Sequence, residues 1–194
     1  MKDFFKKYSY TIFKLFLNQF AIALFGVGLA FATTKAENTA LVVATGIGSV
    51  VFYLFLQYAV MWEVGAKDGI TAEARGTGRG LWRGLVISLC ANALNIILAF
   101  VALSGVGAVS GSVRHGVAAF GRGAALLLEG MYMGLLSIKV GGVALNLSVW
   151  PYFVIILPAV LVSSLAYIIG NYGWHCTNIL IPKNKDVKNN GRPE

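Results

Sequence analysis

Long apolar segments separated by short polar ones make up most of the chain. The apolar runs cover residues 15–33, 39–62, 84–107 and 151–170. Each run is close to the length of about 20 residues that a helix needs to cross a bilayer. A single segment surrounded by lipid can satisfy its own backbone hydrogen bonds only as a helix. The pattern therefore predicts an all-α transmembrane fold with four antiparallel membrane-spanning helices.

The first apolar run shares some features with a secretory signal peptide. A basic segment, residues 1–14, precedes it, and the small residues at 30–32 resemble a cleavage site. However, the run is long for a signal peptide and contains Asn18 and Gln19. Both features favour a retained span, with the basic segment at the lipid headgroups.

A fifth apolar segment, residues 117–137, leaves two topologies open. It is long enough to cross a membrane but contains Arg122 and Glu129. Together with His115, these residues follow a heptad spacing, which places three polar groups on one helix face. An unpaired arginine in the middle of a span costs about 2.5–3.5 kcal/mol or more. We therefore predict an amphipathic interfacial or re-entrant helix, with a fifth span as the alternative.

The distribution of positive charge favours four spans over five. Lysine and arginine are retained in the loops on the cytoplasmic side of a membrane. Four spans with both termini inside leave twelve of the 16 lysines and arginines in the cytoplasm, whereas five spans leave nine. We therefore predict that the N-terminus, the loop 63–83 and the basic tail 183–194 are cytoplasmic. The tail is polar and is predicted to be disordered.

The composition is that of one membrane domain. Hydrophobic residues make up 57% of the chain and charged residues 12%, and the mean hydropathy is +0.72. A soluble domain carries about twice that share of charge. Residues 1–182 are therefore expected to form a single multi-pass membrane domain. The net charge of +8 is explained by cytoplasmic loops that contact anionic lipid, and nucleic acid is not expected as a partner.

The central loop contains the densest mixture of charges between two apolar segments. Glu63 and Lys67, at i and i+4, are in the favourable order on a helix that continues from the second span until Asp68-Gly69 ends it. Glu63 is expected to pair with Lys67 or with an arginine of the loop. Glu63, Lys67 and Asp68 at this cytoplasmic mouth are a candidate docking site for a partner protein, or simply structural. The following sequence RGTGRG lacks the spacing and the lysine–hydroxyl pair of a phosphate-binding loop. It is interpreted as a flexible basic loop against anionic lipid.

Two further sets of polar residues fall within the apolar segments. Ser88, Asn92 and Asn95 share one face of the third span, where they are expected to bond to Asn18, Gln19 or Gln57 of other spans. A polar substrate groove is the alternative. The set His115, Arg122 and Glu129 would mark a substrate or proton path if it is buried, and the solvated face of an interfacial helix if it is not.

Enzymatic chemistry finds little support in the sequence. The chain has two cysteines and two histidines, which are not at metal-ligand spacing. It contains neither a zinc-protease motif nor a serine with a suitable histidine and carboxylate partner. We therefore predict a non-enzymatic protein without a cofactor or metal.

One part of the chain resembles known sequences. The run YAVMWEVGAKD (residues 58–68) is followed by the basic loop and by GLVISLCANALNIILA (residues 84–99). This order resembles a group of uncharacterised small integral membrane proteins of Firmicutes, chiefly clostridia, and WEVGAKD is its most specific part. The segments NQFAIALFGVGLAFAT and PYFVIILPAVLVSSLAYIIG are similar in kind. The resemblance implies a location in the bacterial cytoplasmic membrane and implies no chemistry.

Two functions follow from these observations. The first is an accessory or interaction component of the membrane, which could associate with itself or with a partner protein through glycine- and alanine-rich helix faces. The alternative is a small transporter or permease subunit that uses the polar residues of the spans. A pocket lined by Asn92, Asn95 and Glu129 is expected for transport. A solid apolar core with these side chains outside it is expected for the accessory function.

Overall fold

The computed structural model of the protein describes residues 2–35 and 38–174. The predicted tail, 183–194, lies outside the described residues. About 80% of the structure is helical, which confirms the all-α prediction. The helices are α1 (Lys2–Thr34), α2 (Thr39–Ala74), α3 (Trp82–Ala91), α4 (Ala93–Leu103), α5 (Val113–Leu128), α6 (Met133–Leu136), α7 (Trp150–Val154) and α8 (Ile156–Asn171). Two short antiparallel strands, β1 (Lys139–Val140) and β2 (Val143–Ala144), form a hairpin after α6.

Three described helical segments are long and apolar enough to cross a membrane. They are α1, α2 and the combined α7–α8 segment, and the pair α3–α4 adds a fourth if it counts as one bent span. All four coincide with apolar runs of the sequence. The fold is therefore consistent with an integral membrane protein that has three or four crossing helices.

The third predicted span is not one continuous helix. The axis bends by 56° between α3 and α4, and Asn92 lies at the break. The helix also ends at Leu103 rather than at residue 107, and Gly107 has a positive φ of 71°. The span predicted over 84–107 thus corresponds to a bent pair of helices over 82–103.

The second helix is longer than predicted. Asp68-Gly69 was expected to end it, but α2 continues to Ala74. Gly69 lies against the backbone of Asn171 in α8, so close that a Cβ atom would overlap the Asn171 carbonyl. A dipeptide that is typical of a turn in water is used here within a helix for packing.

The helix ends alternate between two ends of the bundle. The start of α1, the end of α2, the start of α3 and the end of α8 meet at one end, which we call the Asp68 end. Lys7, Asp68 and Tyr167 are hydrogen-bonded there, and Gly84 packs on the Tyr167 side chain. The opposite end, which we call the hairpin end, contains the β1–β2 hairpin.

Helices α2 and α8 form the most extensive helix pair. Three glycines allow the backbones to touch: Gly65 and Gly69 lie on carbonyl groups of α8, and Gly170 lies on the Trp62 carbonyl of α2. The break before α8, at Ile155, lies three residues before Pro158, whose ring clashes with the preceding turn of a helix.

The segment that follows α4 turns back into the bundle. Helix α5 runs antiparallel to α4, because Gly105 contacts Ala118 and Gly121 contacts Val101. The chain then leaves the helix at Glu129, forms a single 3-10 turn over Gly130–Tyr132 and continues as α6. The prediction of one helix over 117–137 is therefore wrong, since α5 ends at Leu128.

The turn after α5 lies deep between α1 and α2. The Gln19 side chain of α1 donates to the Leu128 carbonyl over 3.3 Å, and Gly130 packs on Ala23 of α1. At 1.5 Å per residue, Gln19 is about 22 Å along α1 from its end at Thr34. Residues 113–137 thus enter the bundle from the hairpin end and return to the same end.

Candidate functional site

The three polar residues at heptad spacing differ in burial. His115 and Arg122 are partly exposed, whereas Glu129 is only 2% exposed. Glu129 directly follows α5, where the chain turns into the bundle, although its N–H still donates to the Ala125 carbonyl over 2.9 Å. Arg122 donates to the Leu147 carbonyl over 3.4 Å and, like Glu129, interacts electrostatically with Tyr152. Of the three residues, only Glu129 is buried.

Glu129 lies in a buried cluster of tyrosines. Its carboxyl group interacts electrostatically with the hydroxyl groups of Tyr53, Tyr132 and Tyr152, which come from α2, the 3-10 turn and α7. None of the ion pairs among the described residues includes Glu129. Removal from water penalises the charged form of a carboxyl group. The cluster therefore places a group that can bind and release a proton inside the bundle.

One hydroxyl of the cluster is left without a hydrogen-bond partner. The Tyr132 side chain is buried, and its oxygen has no partner among the described residues. The Tyr152 hydroxyl, in contrast, donates to the Asn146 carbonyl over 3.0 Å. Buried polar atoms are almost always paired, so an unpaired one is a place where a ligand or water can bind.

Asn92 and Asn95 bond to each other rather than to other spans. The Asn95 amide donates to the Asn92 side-chain oxygen over 3.2 Å, and the Asn92 amide donates to the Ser88 carbonyl over 3.0 Å. The expected pairing with Asn18, Gln19 or Gln57 is not made through these bonds. The Gln57 amide instead donates to the Leu15 carbonyl over 3.4 Å. The asparagines therefore stabilise the bend between α3 and α4.

The side chains of Asn92, Asn95 and Glu129 are all at most 3% exposed. The accessory function predicted these side chains outside the core, and the structure places them inside it. The cavities at the two ends of the bundle are lined by other residues. The Asn95 side-chain oxygen, like the Tyr132 hydroxyl, is buried without a described partner.

Replacing Asn92 and Asn95 separately and together by alanine is expected to show a favourable coupling energy of about 0.6 kcal/mol, and at most about 1.7 kcal/mol. The bond between the two side chains is lost in either single variant, so the double variant should cost less than the sum. Unfolding of the full chain in mixed micelles by a denaturing detergent measures each free energy. Strictly additive effects would contradict this bond.

A second polar cluster lies at the Asp68 end. Asp68 is 6% exposed and accepts three hydrogen bonds: from the Lys7 ammonium over 2.6 Å, from the Tyr8 hydroxyl over 2.6 Å and from the Tyr167 hydroxyl over 2.7 Å. The Arg83 side chain lies near this cluster and interacts electrostatically with Tyr8, Tyr167 and Asp68. These residues belong to α1, α2, α3 and α8, so the Asp68 carboxylate connects the helices at this end.

The other residues of the predicted cytoplasmic mouth stand apart from this cluster. Lys67 and Glu63 form the predicted ion pair over 2.6 Å, with both side chains largely exposed. This pair is confirmed and has the small energy of an exposed i, i+4 contact. Asp68, by contrast, is buried, so the three residues do not form one exposed docking surface.

Sequence reasoning missed most members of both clusters. Lys7, Tyr8 and Tyr167 stand far from Asp68 in the sequence, and Tyr53 and Tyr132 stand far from each other. The available signal was chemical: tyrosines in apolar spans need a hydrogen-bond partner when they are buried. Their partners became identifiable only when the order of the helices was known.

No protein-family model, curated protein or solved structure matches the chain. The class that the fold defines is that of a helical protein with three or four potential membrane-crossing helices within residues 2–35 and 38–174. The resemblance to small membrane proteins of Firmicutes stays a prediction.

Proposed function

We propose that the protein is a small transporter or permease subunit of the bacterial cytoplasmic membrane, and that Glu129 is its proton- or cation-binding group. The observation that carries the proposal is the burial of Glu129, without an ion-pair partner among the described residues, at the turn of a segment that enters and leaves the bundle at one end. Ionisable side chains at membrane depth mark the paths of substrates, ions or protons.

The proposed topology has four crossings and one re-entrant segment. Helices α1, α2, α3–α4 and α7–α8 cross the membrane, and residues 113–137 enter from the hairpin end and return to it. Two observations support an even number of crossings: α1 begins and α8 ends at the Asp68 end. The basic residues of α1 and of the loop after α2 lie there too, which favours the cytoplasm for this end.

Interrupted helices support transport over a static accessory role. Asn92, Glu129 and Ile155 each interrupt a helix, and in transporters such breaks expose backbone and side-chain groups to a bound ion or substrate. The unpaired oxygens of Asn95 and Tyr132 are available for the same purpose. In this proposal the structure is an occluded conformation, and the Asp68 cluster closes its cytoplasmic end.

Glu129→Gln is expected to abolish the charge movement that follows a pH step. Proteoliposomes with the full chain on a solid-supported membrane record this movement as a transient current, even when the substrate is not known. Glutamine has the same size but cannot take up a proton at this position. The matched control is Glu63→Gln, which removes an exposed carboxylate and should leave the current unchanged.

An independent readout is the reaction of Glu129 with a hydrophobic carbodiimide, which attacks protonated carboxyl groups within the membrane. Because removal from water favours the protonated form, the buried Glu129 should form an adduct at neutral pH, whereas the exposed Glu63 should not. Mass spectrometry of the full chain locates the adduct.

An undiminished current in Glu129→Gln would refute the transport proposal and favour the accessory function instead.

A further inference from the structure

A cavity of about 420 Å³ with a mixed polar and apolar lining opens beside the Asp68 cluster. It lies between the start of α1, the end of α2 and the start of α3. Its wall contains three cations, Lys7, Arg75 and Arg83, together with the hydroxyl groups of Thr71 and Thr77. Two acidic residues, Asp3 and Asp68, also line it.

The cluster at the floor of this cavity has more positive than negative charge. Lys7 and Arg83 surround the single carboxylate of Asp68, and Lys7 makes its ion pair with it at 2.6 Å. Arg83 is partly exposed, interacts electrostatically with Tyr8, Tyr167 and Asp68, and has no carboxylate within ion-pair distance among the described residues. The two cations face one carboxylate, so the floor keeps one positive charge that Asp68 does not balance. An anion bound there would balance that charge.

The rim of the cavity adds to the same field. Arg75, which follows α2, and Asp3, near the start of α1, are both exposed and both line the cavity. Arg79 of the same loop makes other contacts. A guanidinium nitrogen of Arg79 lies 3.9 Å from a carboxylate oxygen of Glu73, and the guanidinium carbon lies 4.8 Å from the centre of the Tyr172 ring. Two arginines thus face the cavity, and the third does not.

We propose that this cavity binds a phosphate group between Arg75 and Arg83, as the anion that completes the Asp68 cluster. One guanidinium group can donate two parallel hydrogen bonds to two oxygens of a phosphate group, and the threonine hydroxyls of the wall can donate further hydrogen bonds. The phosphate belongs to an anionic phospholipid headgroup or to a soluble phosphate compound. The lipid source rests on the topology proposed above, which places the cavity at the cytoplasmic surface.

Recognition here differs from that of a nucleotide-binding loop. The sequence RGTGRG follows α2, but the backbone amide of Thr77 is already used, since it donates to the Ala72 carbonyl over 3.0 Å. That of Gly76 donates to the Glu73 carbonyl over 3.2 Å. The arginine side chains, and not a cradle of backbone amides, form the proposed site.

The test uses the purified full chain in detergent and two kinds of ligand. Native mass spectrometry compares the retention of phosphatidylglycerol with that of phosphatidylcholine, and thermal unfolding is followed with inorganic phosphate and with glycerol 1-phosphate. Either preferential retention of phosphatidylglycerol or a rise of the unfolding temperature with a soluble phosphate supports the site. The pattern of the two arms distinguishes the lipid from the soluble source.

Variants at the floor and the rim decide whether the cavity is the site. Arg83→Gln and Arg75→Gln should each weaken binding about fivefold, as expected for one cationic contact. Asp3→Asn should strengthen binding, because it removes the acidic residue of the rim. Arg79→Gln is the matched control from the same loop and should bind like the wild type.

Several results would overturn the proposal. One is the absence of binding in both arms with the wild-type chain. Another is equal loss of affinity in Arg75→Gln and Arg79→Gln, which would indicate only a general effect of charge. If Arg83→Gln does not fold, Arg75→Gln and Asp3→Asn still give opposite expected shifts. A purely structural role of these two exposed residues would not produce that opposition.

Discussion

Gly65→Val is expected to lower the free energy of unfolding by about 3 kcal/mol or more. A Cβ atom at Gly65 would overlap the carbonyl oxygen of Tyr167, and a backbone carbonyl cannot move aside as a flexible side chain can. Helices α2 and α8 would have to separate along their whole contact, which also moves Gly170 away from Trp62. Overfilling a packed site typically costs about 1–3 kcal/mol, and rigid neighbours raise the cost.

The matched control for this experiment lies in the same helix. A Cβ atom at Gly48 would have no neighbour within 4 Å outside its own helix, so Gly48→Val meets open space. Detergent-induced unfolding of both variants measures the difference between them. Equal stabilities of Gly65→Val and Gly48→Val would show that α2 and α8 are not in close contact.

Asp68→Ala is expected to destabilise the protein by about 3 kcal/mol. The Tyr8 and Tyr167 hydroxyls, whose residues are 3% and 0% exposed, would lose their acceptor, and each unpaired buried group costs about 1–3 kcal/mol. The Lys7 side chain is half-exposed and regains water, so its share of the loss is small. Unfolding in mixed micelles again gives the free energy.

Two further variants serve as comparisons for Asp68→Ala. Asp68→Asn keeps an acceptor oxygen for the tyrosines and should cost clearly less than Asp68→Ala. Glu63→Ala removes an exposed carboxylate five residues earlier and should change stability by less than about 0.5 kcal/mol. A loss in Asp68→Ala no larger than that in Glu63→Ala would contradict the role of Asp68 as the connection between helices.

The positions of the apolar helices could be predicted because an apolar run of about 20 residues has one main explanation, a helix that crosses a membrane. Runs such as 15–33 and 151–170 are too long and too apolar for other uses. The break at Asn92 was not predictable in the same way. The Asn92 side-chain amide donates to the Ser88 carbonyl in the preceding turn. Such local hydrogen bonds cannot be recognised from the spacing of apolar residues.

The error at Glu129 has a different cause. The heptad spacing from His115 to Glu129 predicts a common depth for the three residues only if the helix continues past Glu129. Gly130 ends that continuity, because its backbone packs on the Ala23 carbonyl of α1. Such a contact depends on a helix more than one hundred residues earlier in the chain, so the sequence around Glu129 could not reveal it.

The error at Asp68 is instructive in the same way. Asp-Gly favours a turn when water satisfies the backbone and the carboxylate. In this protein Asn171 lies over Gly69, while Tyr8 and Tyr167 bind the carboxylate. Tertiary contacts therefore replaced the water, and the helix could continue.

The three bonds to Asp68 also set an order for the assembly of the protein during synthesis. Lys7 precedes Asp68 by 61 residues, and Tyr167 follows it by 99. At about 5–20 residues per second, the ribosome needs about 5 to 20 s to make the last of these. The helix pair α1–α2 has to keep the Asp68 carboxylate paired with Lys7 and Tyr8 during that interval. Helix α8 then docks last, onto a site that its predecessors have already formed.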